Sequence, residues 1–248
     1  MDLQLAGKTA IVIGASRGIG LATVQALINE GVQVVGAARQ VTAELAVSGA
    51  TGVAVDLTGP ASAQRLIDTA VEAHGGIDLL VNNLGGSDDL TLSGFLDLTD
   101  EQWSRALDVN LLATVRVTRA ALPHLIQSGG VVVNVSSLGA WQPDQPPLSY
   151  NVAKAALKAL GRGLATDFGP QGVRALTVTP GPTRTAMWDQ YANLVGAPVE
   201  HILAAIPERF LFLLLGFLCR ELARDCAHER PPSLSRRRYV CRPTARPA

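Results

Sequence analysis

Cysteine is missing from most of this 248-residue chain: its three copies, Cys219, Cys226 and Cys241, all fall beyond Pro207. An odd number closes no disulfide framework, and the spacing matches no zinc pattern. Charge is also scarce. Charged residues make up 17% and sum to a formal net charge of zero, which gives nucleic acid or an acidic membrane surface no field to follow. Long apolar runs are absent as well. Phe210 to Leu218 is strongly apolar, yet about half the ~18–20 residues of a spanning helix. The opening Met1-Asp-Leu-Gln-Leu-Ala-Gly-Lys8 lacks the basic start and apolar core of a signal peptide. These shortages predict a cytoplasmic protein without nucleic acid or membrane among its partners.

What the chain has is an apolar interior, at 48% of residues, on the scale of one α/β domain. The zero charge conceals two unlike parts. From Glu208 to Ala248 nine arginines meet four acids, net +5, whereas the first 207 residues carry twelve bases and seventeen acids, net −5. The division predicts a working domain over 1–207 and an atypical Arg/Cys/Pro-rich tail over 208–248.

Thr9-Ala-Ile-Val-Ile13 reads as a strand running into Gly14-Ala-Ser-Arg-Gly18-Ile-Gly20 and then a helix. Glycines let a backbone approach a pyrophosphate, and a helix start offers it free N–H groups. The second strand, Val32–Val35, runs into Gly36-Ala-Ala-Arg39. An acid here would hold ribose hydroxyls. With Arg39 in its place, and Arg17 in the glycine loop, a 2′-phosphate is favoured, hence NADP over NAD. Asp56 ends a third strand, within reach of an adenine amino group. Asn82-Asn83-Leu84-Gly85-Gly86 ends a fourth, where asparagines can tie strand ends together or lie against a cofactor. Thr99 is a helix N-cap, Trp103 to Gln127 a long helical pattern containing Asn110, and Gly130–Val135 a strand delivering Ser136 and Ser137. A sixth strand over Val173–Thr179 breaks at Pro180-Gly181.

Strands alternating with helices predict a Rossmann-type, doubly wound parallel sheet in three αβα layers, six strands clear and a seventh doubtful. Right-handed crossovers gather the carboxyl ends, and with them these candidates, along one edge. Tyr150 and Lys154 join that edge. Four apart on a helix, phenol and ammonium share a face, and a nearby cation favours the ionised phenol. Ser137 could steady a carbonyl oxygen beside them.

The ordered set Gly14-x-x-x-Gly18-x-Gly20, Asn82-Asn83-x-Gly85, Asn110, Ser137, Tyr150-x-x-x-Lys154, Pro180-Gly181 and Thr185 resembles the short-chain dehydrogenase/reductase family, over roughly Leu5 to Met187. The resemblance implies hydride transfer between NADP(H) and a carbonyl or secondary alcohol. Tyr150 would be the general acid or base, and Lys154 would lower its pKa and hold the nicotinamide ribose. Ser137 would orient the substrate oxygen, and Asn110 would hold a relay water. It implies a cofactor site of Gly14, Ser16, Arg17, Gly18, Ile19, Gly20, Arg39, Asp56, Leu57, Asn83, Gly85, Tyr150, Lys154, Pro180, Gly181, Thr183 and Thr185, with no metal. A homodimer or homotetramer is implied if the tail permits it.

Three departures stand out. Leu84 replaces a usual alanine, and Leu176 an asparagine often found four residues before the Pro-Gly pair. The tail shows no closing strand: no glycine follows Gly216, and Tyr239-Val-Cys241 is a fragment at best. A frameshifted segment, a disordered end and a basic tail for an acidic partner all fit that composition. Without a seventh strand the sixth would keep an open edge. The substrate pocket is expected from Leu138–Leu148 and Met187 to about Ile206, with Trp141, Met187, Trp188 and Tyr191 suiting an apolar or ring-bearing ligand. The competing reading is a catalytically silent NADP-binding regulator or scaffold.

Overall fold

The computed structural model describes residues 4–86, 94–143, 147–181 and 183, with isolated positions between 192 and 200. The expectations for Thr185, Met187, Trp188, Tyr191 and the tail 208–248 lie outside the described residues. Six parallel strands make one sheet: β1 (Thr9–Ile13), β2 (Gln33–Ala38), β3 (Thr51–Ala54), β4 (Leu79–Asn82), β5 (Val131–Val135) and β6 (Arg174–Val178). Their spatial order is β3-β2-β1-β4-β5-β6. The chain winds outward from β1 in one direction, then resumes at β4 on β1's other side. That reversal opens a crevice at the carboxyl ends of β1 and β4, where such sheets take ligands.

The strands are apolar on both faces because helices cover both. Ile11, Ile13, Leu80 and Val132 face α3 (Ser62–His74), α5 (Ala113–Ser128) and Leu164 of α6 (Leu148–Phe168). Ala10, Val12, Val81 and Val133 face α1 (Gly18–Asn29) and Leu45 of the short α2 (Ala43–Ala46). Leu84 and Leu176 are absorbed by these cores, one on each face. The larger side chain at Leu84 is thus met by local repacking.

Thr99 caps α4 (Asp100–Leu107): its hydroxyl accepts from the Gln102 N–H, and Gln102 Oε1 accepts from the Thr99 N–H. The single helix expected over Trp103–Gln127 is a correction. It is α4, a π-helical turn at Asp108–Leu112, and α5. Asn110 sits inside the π turn, where its carboxamide takes over a backbone acceptor, Ala106 O, at 3.0 Å. β3 is also shorter than expected, so Asp56 lies in the loop beyond it. Among the described residues β6 is paired only with β5.

A row of buried polar side chains crosses the sheet under α5 and α6. Asn82 Nδ2 donates to Asn134 Oδ1 (2.9 Å) and to Thr118 Oγ1 (3.0 Å), and Asn134 lies opposite Thr177 in register. Gly161 of α6 leaves room for this row: a Cβ there would stand 2.3 Å from Thr177 Oγ1. Helix propensity alone favours Gly161→Ala by about 1 kcal/mol. The clash reverses that sign, so urea denaturation should show a net loss of about 1–3 kcal/mol. Thr177→Ala should recover much of it in the double variant; strictly additive losses would contradict the contact.

Candidate active site

The crevice begins at the turn after β1. Gly14 has φ +73° and Gly18 φ +55°, the left-handed region that glycine enters without strain. Gly20 has no room for a side chain: a Cβ would stand 2.1 Å from Gly14 O. Asn83 Nδ2 donates to that same carbonyl at 3.0 Å, tying the ends of β1 and β4 across the reversal point. Arg17, at the N-cap of α1, is extended and supplies no side-chain cap. The first-turn amides of a twelve-residue helix therefore lack a side-chain acceptor beside a glycine turn, an arrangement that fits a pyrophosphate. Ile19 is half-buried, and its carbonyl accepts from Thr23 Oγ1. Ser16 contributes a carbonyl that accepts from Thr42 Oγ1 at 3.0 Å. Thr42, which also caps α2, was not singled out in the sequence, where it resembles any threonine before a short helix.

Farther along the sheet edge Arg39 is exposed directly after β2. Asp56 Oδ1 accepts from Thr58 N (3.0 Å) and Thr58 Oγ1 (2.7 Å). These two bonds, with the Arg39 charge adding to them, hold the Asp56 carboxyl below its ordinary value. The Leu57 side chain is buried in the core, so only its backbone can face a cofactor.

On the other side of the reversal point the four remaining candidates converge. Lys154 is 2% exposed, and its Nζ donates to Val135 O (3.0 Å) and Leu84 O (3.2 Å), carbonyls from the ends of β5 and β4. Its Nζ lies 5.7 Å from the Tyr150 ring centroid. Asn110 Oδ1 accepts from Gly86 N, and its Nδ2 donates to Gly86 O, both at 3.0 Å. Gly85 makes the junction possible: a Cβ would come within 2.5 Å of Lys154 Nζ and 2.9 Å of Asn110 Oδ1. Ser136, which the sequence offered only as Ser137's neighbour, donates from Oγ to Lys154 O at 2.7 Å and anchors the helix to the strand.

Ser137 accepts from Gly139 N and hydrogen-bonds the Tyr150 phenol. The phenol's pKa is a correction to the sequence argument. Burial pushes it above 10, and the Ser137 bond opposes this only in part. Lys154 spends its donors on two carbonyls, and burial lowers its own pKa from 10.5 to about 8.

The floor closes where Leu138 N donates to Pro180 O and Thr183 Oγ1 to Gly181 O at 3.1 Å. Trp141 is largely exposed, with its Nε1 donating to Thr179 Oγ1 and Lys158 Nζ over its ring. Among the described residues no cluster of His, Cys, Asp or Glu is built to hold a metal, and no helix is long and apolar enough to cross a membrane.

A family model described as short chain dehydrogenase matches residues 8–194. The chain belongs to the short-chain dehydrogenase/reductase family. A Streptomyces violaceoruber protein named as a ketoacyl reductase 2 of the granaticin polyketide synthase is 38% identical over 206 residues, 81% of this chain and 82% of its own. L-sorbose reductase from Gluconobacter frateurii, solved with NADPH and L-sorbose, superposes with a TM-score of 0.81 at 28% identity, covering 90% and 92% of the two chains. The NADH-dependent reductase A1-R′, solved with NAD, gives 0.68 at 29% identity over 73% and 81%. The protein is thus a short-chain oxidoreductase of hydroxyl and keto groups that uses a nicotinamide cofactor.

The Lys154 shift has a measurable consequence. The folded state releases this proton near pH 8 and the unfolded chain near 10.5, so between those values the unfolded state binds more protons and stability rises with pH. Chemical denaturation of the ligand-free protein should show a gain approaching about 3 kcal/mol across that window. Lys154→Met should remove it; an identical slope in the variant would contradict the assignment.

Proposed function

We propose that this protein transfers hydride between NADP(H) and a carbonyl or secondary alcohol, with Tyr150 as general acid in reduction and general base in oxidation. The observation that carries the reading is the joining of Tyr150, Ser137, Lys154 and Asn110 at the sheet edge that also bears the glycine turn.

A bound nicotinamide would supply the hydride. Ser137 orients the substrate oxygen toward the phenol, which its own hydroxyl contacts. The raised phenol pKa keeps Tyr150 protonated at neutral pH, the form needed to give a proton to a carbonyl oxygen. Lys154 supplies charge beneath the phenol and a donor for ribose hydroxyls. Asn110, fixed on Gly86, holds the water through which the lysine exchanges protons with solvent. Oxidation needs the ionised phenol, so its rate should climb with pH while reduction is favoured near neutrality.

NADP is preferred over NAD because Arg39 stands exposed after β2, with Arg17 at the glycine turn. Pro180, Gly181, Thr183 and Thr185 receive the nicotinamide end. Trp141, held by Thr179 and Lys158, walls an apolar substrate pocket. The enzyme works in the cytoplasm as a homo-oligomer.

Carbonyl-dependent NADPH oxidation should fall at least a hundredfold in Tyr150→Phe, on the scale of lost acid–base catalysis, about 10²–10⁴. Equal rates in variant and wild type would sink the assignment. Arg39→Ala should raise KM for NADPH at least about tenfold more than for NADH, the cost of one charge-assisted phosphate contact. Equal changes for both cofactors would remove the case for a 2′-phosphate.

A further inference from the structure

Asp108 and Arg116 form an ion pair, Oδ1 to Nη1 2.7 Å, a contact of charges without the alignment of a hydrogen bond, with side chains 32% and 27% exposed. Their spacing is unusual. An α-helix advances about 100° per residue, so eight residues overshoot two turns by about 80° and the two side chains would leave from different faces. Surface partners in a regular helix are three or four apart. The pair closes because the π turn Asp108–Leu112 lies inside the interval and adds a residue to the winding. Arg116 leans back toward the helix start, as long helical side chains do, and spans the remaining rise. The contact therefore belongs to the bulged register, and whatever it contributes favours that register.

The register carries Asn110. Winding the turn back to regular α-helix would rotate this side chain by up to about 100° and withdraw it from Gly86. Both Gly86 bonds, each 3.0 Å, would go. Gly86 closes the segment whose Leu84 carbonyl holds Lys154 and whose Gly85 leaves the space shared by Lys154 and Asn110. We propose that the Asp108–Arg116 ion pair is a clamp on the π turn that positions Asn110, making both charged residues positioning residues for the reaction. The inference rests on the oxidoreductase reading above for its kinetic consequence, not for its structural one.

Two readouts keep these apart: carbonyl reduction, and amide hydrogen exchange at Gly86, whose N–H is bonded to Asn110. Asp108→Asn and Arg116→Met should each lower kcat about tenfold with both KM values within about twofold, a loss confined to the transition state. Arg116→Lys, which keeps the charge, should retain kcat within about threefold, and it guards against a fold-damaging variant. Gly86 exchange should accelerate in Asp108→Asn. In an Asn110→Ala background Asp108→Asn should bring no further loss of kcat, because residues acting through one another are not additive. The same fractional loss with and without Asn110 would overturn the clamp, as would unchanged Gly86 exchange. If Tyr150→Phe matches wild type, the oxidoreductase reading fails while Gly86 exchange still judges the clamp.

Discussion

Burying one ammonium is the constraint on which this site depends. Lys154 gives up its hydration inside a protein, where an uncompensated charge is expensive, and the partial compensation is two backbone carbonyls held at hydrogen-bond distance. Those carbonyls cannot be placed by a loop alone. Val135 ends β5, Leu84 follows β4, and the two strands pair from Leu79–Val131 to Asn82–Asn134. The Asn82–Asn134 side-chain bond sits at the last step of that register, directly below the lysine cage. The same requirement explains Gly85, because any side chain there would take the ammonium's place.

Two systems thus meet at the reversal between β1 and β4. The first is a turn shaped for an anion, made of left-handed glycines, a helix start and the Asn83–Gly14 tie. The second is the cluster of Lys154, Tyr150, Ser137 and Asn110, on α6, at the end of β5 and in the π turn. Neither shares a side chain with the other. They share the segment Asn83 to Gly86, which binds Gly14 at one end and Asn110 at the other. The glycine turn and the Tyr150–Lys154 cluster are thus joined through four consecutive residues.

Much of this is legible in the sequence. Thr9–Ile13 was found to the residue because an apolar run bounded by a glycine turn has one reading. Asn82 and Asn83 were read as strand ties or as neighbours of a cofactor, and both tie strand ends here. The π turn at Asn110 was not legible, since five residues are too few to show a change of period, and Asp108 and Arg116 look unrelated at a spacing of eight. The phenol pKa was misjudged for a different reason. Sequence shows that a cation is near, but whether burial outweighs it depends on packing from elements distant in the chain.

The two strands that cage Lys154 are also the middle of the core, with Leu80, Val81, Val132 and Val133 fully buried. A site on a peripheral loop can melt or stiffen while the scaffold persists, giving an enzyme that fades well below its unfolding temperature. Here one of the ammonium's acceptors, Val135 O, ends β5 itself and the other, Leu84 O, lies two residues past β4, so the cage depends on the β4–β5 seam. The β4–β5 seam that fills the core is thus also what keeps the lysine's two acceptors together.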